Sequence, residues 1–467
     1  MRPNTHLMTT TDQGVPTRLE QARARIARTV FEDHLGGPEL GCIGLEPEYF
    51  ILRTDARGTP LGRFALEGEG GVLAILEELR ARPRGPSLEG LKLSESGPPP
   101  IYELAHGGRL TFEPGAQIEH STAVHEDAAR AMQDVDSTFR ELADGFAAHG
   151  GVIASAGLDL WTDRNLVAQQ LRAPRYDAMS DYFDSRSRHG RVMMRHTASL
   201  QVNLDLGERE MAVERWRLAN LLSPIATASF AASPEDGWRT KRARSWQGLD
   251  STRTGFPREF LECEDVDPGE AYAEFALGAD VMLFHAQNSS ATALGVAGFC
   301  FRDWIEQGHP EHGFPTEEDL DYHLTTLFPE VRLRGFLEIR SADALPPRWR
   351  AAEIVFYAGL IYDEQARRAA LELLEPLLPE LSLQWVLAAR EGLSNPALRD
   401  LASAVWKLAL EGAGRLPAGY FRPADLDVAT AFSRDFVRQG RSPADALRDL
   451  LSSKGPEAAL AWAAREM

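Results

Sequence analysis

Cysteine is scarce: Cys42, Cys263 and Cys300 are the only three in 467 residues. No CxxC pair occurs, which excludes a zinc knuckle and a thioredoxin-type redox motif. An odd, sparse count argues against a secreted disulfide framework and for a reducing cytoplasm. The Asn288-Ser289-Ser290 sequon carries no meaning in that compartment. Long apolar runs are also lacking. Leu221–Ala232 and Ala291–Phe301 are too short to span a bilayer. The polar stretch Met1–Arg18 has no signal-peptide core. Positive charge is in deficit, 50 Lys and Arg against 69 Asp and Glu, for a net −19. That balance disfavours a nucleic-acid partner. It leaves room for a nucleotide held by local arginines and metal ions. A Walker A motif is missing, since Gly68-Glu69-Gly70-Gly71 lacks the Lys and the spacing and reads as a flexible loop.

What is present is a soluble, core-forming composition, 43% hydrophobic, enough for one large catalytic unit with a smaller appendage. Residues 1–15 read as a disordered tail, 16–375 as the catalytic domain and 376–467 as a helical segment packed on it. Helical spacing covers Leu19–His34, Gly71–Arg80 and Glu126–His149. A further helix over Arg215–Thr227 is expected to be interrupted by Pro224. Strands are expected at Gly41–Leu52, Leu110–Ser121 (around a Pro114-Gly115 turn), Val152–Leu158, Ala198–Leu206 and Gly335–Ser341. Arg82–Gly97, rich in Pro, Gly and Ser, reads as a loop. From Arg350 onward helices dominate, with stops near Pro376, Pro396, Gly412 and Gly455. Strands and helices do not alternate regularly, so the fold class is α+β.

Residues two apart in a strand share a face. Glu46 and Glu48 do so in Gly44–Phe50. Glu113, Gln117 and Glu119 share parity across the Pro-Gly turn. In Ala198–Asp205, Ser199, Gln201, Asn203 and Asp205 face one way and Leu200, Val202 and Leu204 the other. Glu338 and Arg340 lie opposite Leu337 and Ile339. The plain alternative for any one strand is a solvated face of a half-exposed sheet. A solvated face would mix in Lys and Thr, however, and these faces offer mainly Glu, Gln and Asn. Five crowded carboxylates would have to protonate unless cations neutralise them. Oxygen-only ligands favour Mg²⁺ or Mn²⁺ over zinc, and about two or three ions would balance the charge. Such ions are what phosphoryl transfer from ATP requires.

These segments resemble the glutamate–cysteine ligase family, in its plant and proteobacterial branch and in the related enzyme of ergothioneine synthesis. The likeness runs from Gly41 to Asp363. It rests on Gly44-x-Glu46-x-Glu48, Thr111–Glu119, Arg175–Met179, Met193–Asp205, Arg244-Ser245-Trp246, Asp250, Arg253-Thr254-Gly255, His323–Arg332, Phe336–Arg340 and Gly359–Asp363. It implies a fold similar to the catalytic domain of glutamine synthetase. In that fold an antiparallel sheet of about six strands curls into a basin with helices outside. It also implies a metal set. Glu48, Glu113 and Glu119 would surround one ion, and Glu46 and Glu338 the nucleotide-side ion. Gln201 stands where other branches have a metal-binding His. Arg253 and Arg340 are the expected catalytic contacts to the phosphoryl and glutamate carboxylate groups, because the arginine fork binds two oxygens at once. Arg175, Tyr176, Met194, Thr197, Asn203 and Trp246 complete the expected substrate-binding set with Arg253, Trp246 by packing rather than chemistry.

The implied reaction joins the γ-carboxylate of L-glutamate to the amine of L-cysteine through γ-glutamyl phosphate, consuming ATP. A γ-glutamyl ligase using another amine is the alternative, and the protein would be a monomer or homodimer. A decayed, non-enzymatic copy would not be expected to keep all five glutamates. Pro47 cannot donate to a ladder, so it predicts an edge or a bulge in its strand. Arg195-His196 falls beside the expected acceptor pocket. His196 reads as a neutral, hydrogen-bonded structural residue, and His309 and His312 as surface residues.

Overall fold

The computed structural model describes residues 18–37, 40–95, 100–263, 265–284, 292–293 and 297–464. The expected tail and the Asn288 sequon lie outside them. Among the described residues twelve strands occur in chain order: β1 Ile43–Thr54, β2 Pro60–Arg63, β3 Lys92–Glu95, β4 Ile101–Glu103, β5 Arg109–Phe112, β6 Ile118–Ser121, β7 Gly151–Ala154, β8 Leu200–Leu204, β9 Leu283–Phe284, β10 Thr292–Ala293, β11 Val331–Leu333 and β12 Leu337–Ile339. Ten of them form one sheet in the order β11-β12-β8-β1-β6-β5-β4-β3, with β2 and β7 also on β1, while β9 and β10 form a separate ribbon. Every pairing between these strands is antiparallel. The expected α+β architecture is therefore present. The sheet is wider than about six strands partly because Lys92–Glu95 forms a strand inside the segment read as a loop. Four residues are too few to show a period against the surrounding Pro and Gly.

β1 organises the sheet because it changes partners along its length. Its first half pairs with β8, from Ile43–Leu204 to Pro47–Leu200. Its second half pairs with β7, from Phe50–Ala154 to Arg53–Gly151. Pro47 thus sits in a central strand, not at an edge. The Glu48 amide donates to Ser199 O and the Leu45 amide to Thr122 Oγ1. By alternation the missing Pro47 donor faces β6, whose ladder with β1 begins only at Glu48–Glu119. The proline occupies a gap in that ladder, so it leaves no hydrogen bond broken.

The apolar faces of β1, β8 and β12 pack on the helices Arg209–Ser229 and Arg350–Ile361, burying Leu45, Val202, Ile339, Leu222 and Phe356 in one core. A second core under β5, β6 and the helix Ala128–Ala147 holds Leu110, Ile118, Phe139 and Phe146. Pro224 does not interrupt its helix, which runs unbroken through it. Every residue from Leu218 to Ser229 is buried, and that burial outweighs the ~3 kcal/mol propensity cost of an internal proline. Gly412 is not a stop either. It lies within the helix Pro396–Arg415, and a Cβ on Gly412 or on Gly359 would strike a backbone carbonyl of the other helix. The two glycines permit a close helix crossing. Pro396 opens this helix rather than ending one, with Asn395 accepting from the amides of Ala397 and Leu398. Pro376 and Gly455 do follow helix ends, at Leu374 and Lys454.

The C-terminal helices share the main core: Trp406 packs against Phe230 and Phe356 at ring centroid separations of 5.6 and 4.9 Å. His312 is not a free surface residue, since its ring stacks on Phe284 at 4.0 Å and His309 lies 4.7 Å from the same ring. Among the described residues no helix is long and apolar enough to cross a membrane.

Candidate active site

The polar face of the sheet is the floor of a cavity of about 240 Å³. All five expected glutamates reach it. Glu46 and Glu48 come from β1, Glu113 and Glu119 from the β5–β6 hairpin and Glu338 from β12. The hairpin keeps its register because the turn Glu113–Ala116 closes tightly. Ala116 N donates to Glu113 O at 2.8 Å and Glu113 N to Gln117 O at 2.9 Å, with Ala116 at a positive φ of 65°. Gln117 does not join its neighbours in the cavity; its amide is buried, donating to Thr197 O at 2.9 Å. Gln201 on β8 lies between the two ends of the basin. Its Nε2 donates to Glu48 at 3.2 Å and its Oε1 accepts from Arg340 at 2.7 Å.

The two ends of the basin differ in charge. At one end Glu338 faces Arg332, Arg334 and Arg340. Burial opposes its ionisation, but these arginines outweigh that and hold its carboxyl below the ordinary value. At the other end burial and neighbouring carboxylates raise the glutamates. Glu46 is pushed up to about 7 by burial, then by Glu119 and Glu338. Burial and then Glu48 lift Glu119 to about 7. Glu113 stands well above its ordinary value through burial, Glu119 and Glu48. Burial raises Glu48 too, against the pull of Arg242 and of the Ser199 hydrogen bonds. Arginines therefore neutralise one end, and the other keeps surplus carboxylate.

Glu46, Glu48 and Glu119 lean on Asn203, Ser199 and Thr111 at 2.9, 2.9 and 2.8 Å. Among the described residues no three His, Cys, Asp or Glu side chains converge as a ready-made ion site. The donor chemistry nevertheless fits Mg²⁺ or Mn²⁺: the carboxylates are oxygen donors, no thiolate or imidazole lines the cavity among the described residues, and their raised protonation marks the place a cation would relieve. Glu46, Glu48, Glu113 and Glu119 would hold it.

Of the expected substrate contacts, Arg175, Tyr176, Met194, Thr197, Trp246 and Arg340 line the cavity. Arg340 lies 5.6 Å from the Trp246 ring centroid, and Trp246 packs on Phe328. Asn203 instead lines a larger neighbouring cavity and is bonded to Glu46. Arg253 is not among the cavity residues. It is fully buried, bonding Asp250, Thr326, Tyr182 and the Asp280 carbonyl. Its fork is used up holding elements together, so it has no donor left for substrate. Arg195 and His196 also stay out of the cavity. Burial lowers His196 to about 3, so it is neutral as expected, but its Nδ1 has no hydrogen-bond partner among the described residues.

Sequence reasoning missed Arg109, Arg242, Arg332 and Arg334, which all line the cavity. The signal for Arg332 was present: it alternates with Val331 and Leu333, and the β11–β12 hairpin sets it opposite Glu338. The larger cavity, about 690 Å³, has apolar walls from Ile101, Leu104, Val124 and Phe336. It shares Glu46 and Arg109 with the charged basin.

Fold and site together define an antiparallel-sheet protein with a carboxylate- and arginine-lined basin opening beside an apolar chamber. The profile of glutamate-cysteine ligase family 2 matches residues 42–461. The chain is 34% identical over 409 residues to the glutamate–cysteine ligase EgtA of Mycolicibacterium smegmatis, covering 86% of this chain and 90% of that protein. It is 30% identical over 367 residues to the chloroplastic glutamate–cysteine ligase of Brassica juncea, covering 74% and 67% respectively. A solved structure of a glutamate–cysteine ligase from Francisella tularensis, in complex with AMP, shares the fold with a TM-score of 0.53 at 11% identity, covering 92% of this chain and 88% of that one. The chain belongs to glutamate-cysteine ligase family 2.

Proposed function

We propose that this chain is an ATP-dependent ligase that joins the γ-carboxylate of L-glutamate to the amine of L-cysteine. The observation that carries this reading is the meeting of two cavities at Glu46 and Arg109. The apolar chamber suits the adenosine of ATP. The charged basin suits the phosphates and the two amino acids. The names of its relatives point to the same reaction.

In the first step a glutamate γ-carboxylate oxygen attacks the γ-phosphorus. The new O–P bond forms as the bond to the β-phosphate oxygen breaks, releasing ADP. In the second step the cysteine nitrogen attacks the acyl carbon, the C–O bond to phosphate breaks, and the phosphate leaves carrying its oxygen and the proton that the amine gives up. Arg332, Arg334 and Arg340 orient the anionic oxygens and stabilise the charge that moves between them. Divalent cations held by Glu46, Glu48, Glu113 and Glu119 would neutralise the phosphate charge. Met179, Met193, Met194, Trp246 and Phe328 give one wall an apolar and sulfur-rich surface, which suits a small thiol side chain. Purified protein with ATP, Mg²⁺ and glutamate should release ADP on addition of cysteine. Cysteine giving no release above background, while another amine does, would assign the acceptor elsewhere.

A further inference from the structure

Three imidazoles converge on one carboxylate behind β6, away from the basin. Asp134, on the helix Ala128–Ala147, has a side chain only 3% exposed. Its Oδ1 meets His106 Nε2 at 2.9 Å and His120 Nε2 at 3.5 Å, and its Oδ2 meets His125 Nε2 at 3.0 Å. Burial holds His120 near 4, so that ring is neutral. The short bonds are those to His106 and His125.

The segments carrying those two histidines wall the larger cavity. His106 sits in the β4–β5 turn, which contributes Leu104, Ala105, Gly107 and Gly108. His125 follows β6, whose continuation contributes Ser121, Thr122 and Val124. The two walls touch: a Cβ at Gly108, which has φ +80°, would lie 2.5 Å from Ser121 O. The helix bearing Asp134 is fixed in turn to the C-terminal segment. Ala129 N donates to Tyr420 O at 2.9 Å, and Asp136 pairs with Arg422 at 2.9 Å.

We infer that Asp134 is a positioning residue for the nucleotide: through His106 and His125 it clamps both walls of the apolar chamber to the helix behind them. This rests on the reading that the chamber receives the adenosine of ATP. A carboxylate suits the task because it accepts from two directions at once, and hydrogen bonds to a charged acceptor are the stronger and more directional kind. Loss of the clamp frees two loops at the nucleotide and leaves the glutamates and arginines of the basin in place.

The test uses full-length protein carrying Asp134→Asn or His106→Ala. His106 is 35% exposed on its side chain, so its variant decides the matter if Asp134→Asn fails to fold. Both should raise KM for ATP by about five- to tenfold and weaken ADP binding, measured by calorimetry, in parallel. kcat and KM for glutamate should stay within about twofold, the pattern of lost binding without lost chemistry. Unchanged ADP affinity in a folded variant, or an equal fall in every kinetic constant, would overturn the inference. Ile101→Trp, which fills the chamber from β4 and removes none of the Asp134 contacts, separates the two layers. If it leaves ADP affinity intact, the nucleotide placement fails and the clamp with it. If it abolishes ADP binding while the clamp variants bind normally, only the clamp fails.

Discussion

Divalent cations should stabilise this protein only where its basin glutamates are ionised. Without cations, burial and mutual repulsion lift Glu46 and Glu119 from 4.5 to about 7. In the unfolded chain both return to the ordinary value. Between those limits the folded state binds more protons, so the stability these groups contribute is full below about 4.5 and is lost as pH rises through about 7. At 1.36 kcal/mol per tenfold change, the pair amounts to roughly 3–7 kcal/mol, the lower figure allowing for their coupling. A chain of this length unfolds with an entropy of about 1 kcal/mol/K, so saturating Mg²⁺ should raise Tm by roughly 3–7 °C at pH 8 and by about 1 °C or less at pH 5. Thermal unfolding with EDTA or Mg²⁺ at the two pH values reads this directly. Glu46→Gln should raise the metal-free Tm at pH 8 and shrink the Mg²⁺ response, because it removes a repelling charge and a ligand together. Equal Mg²⁺ shifts at both pH values, or none at pH 8, would refute the reasoning.

Glu48→Gln, which removes a cation ligand, and Glu338→Gln, which takes the charged partner from Arg332, Arg334 and Arg340, should each cut turnover about 100-fold or more in a steady-state ADP-release assay while keeping a cooperative thermal transition. Arg253→Ala should cost about 3–5 kcal/mol in denaturant unfolding, since it strands buried partners such as Asp250; its KM values should stay near wild type in the folded fraction. Gly412→Ala should cost about 1–3 kcal/mol by the same measurement, since the added methyl must push the helices Arg350–Ile361 and Pro396–Arg415 apart.

The basin was legible where a strict period of two separates carboxylates from aliphatics. Leu200, Val202 and Leu204 against Gln201 and Asn203 on β8 is the clearest case, and Glu338 between Leu337 and Ile339 is another. Long-range pairing was not legible. Arg332 and Arg334 enter the site only because β11 folds back on β12. Arg253 reads as a substrate contact in one dimension, and only packing turns its fork inward onto Asp250 and Tyr182. Pro47 looked like an edge marker because a single strand does not reveal that β1 changes partners beside it. Gly412 looked like a helix stop because its reason, the carbonyl of Gly359, lies 53 residues away in sequence. The clamp at Asp134 joins His106 of the β4–β5 turn to His125 after β6, and only the fold brings both onto one carboxylate.

The joining of glutamate to cysteine through an acyl phosphate is tested most directly by isotope transfer. Glutamate carrying ¹⁸O in its γ-carboxylate is incubated with ATP, Mg²⁺, cysteine and the purified protein. The expected result is one ¹⁸O in the released inorganic phosphate and a γ-glutamylcysteine product by mass spectrometry. Phosphate without ¹⁸O, or ADP release with no cysteine adduct, would contradict it.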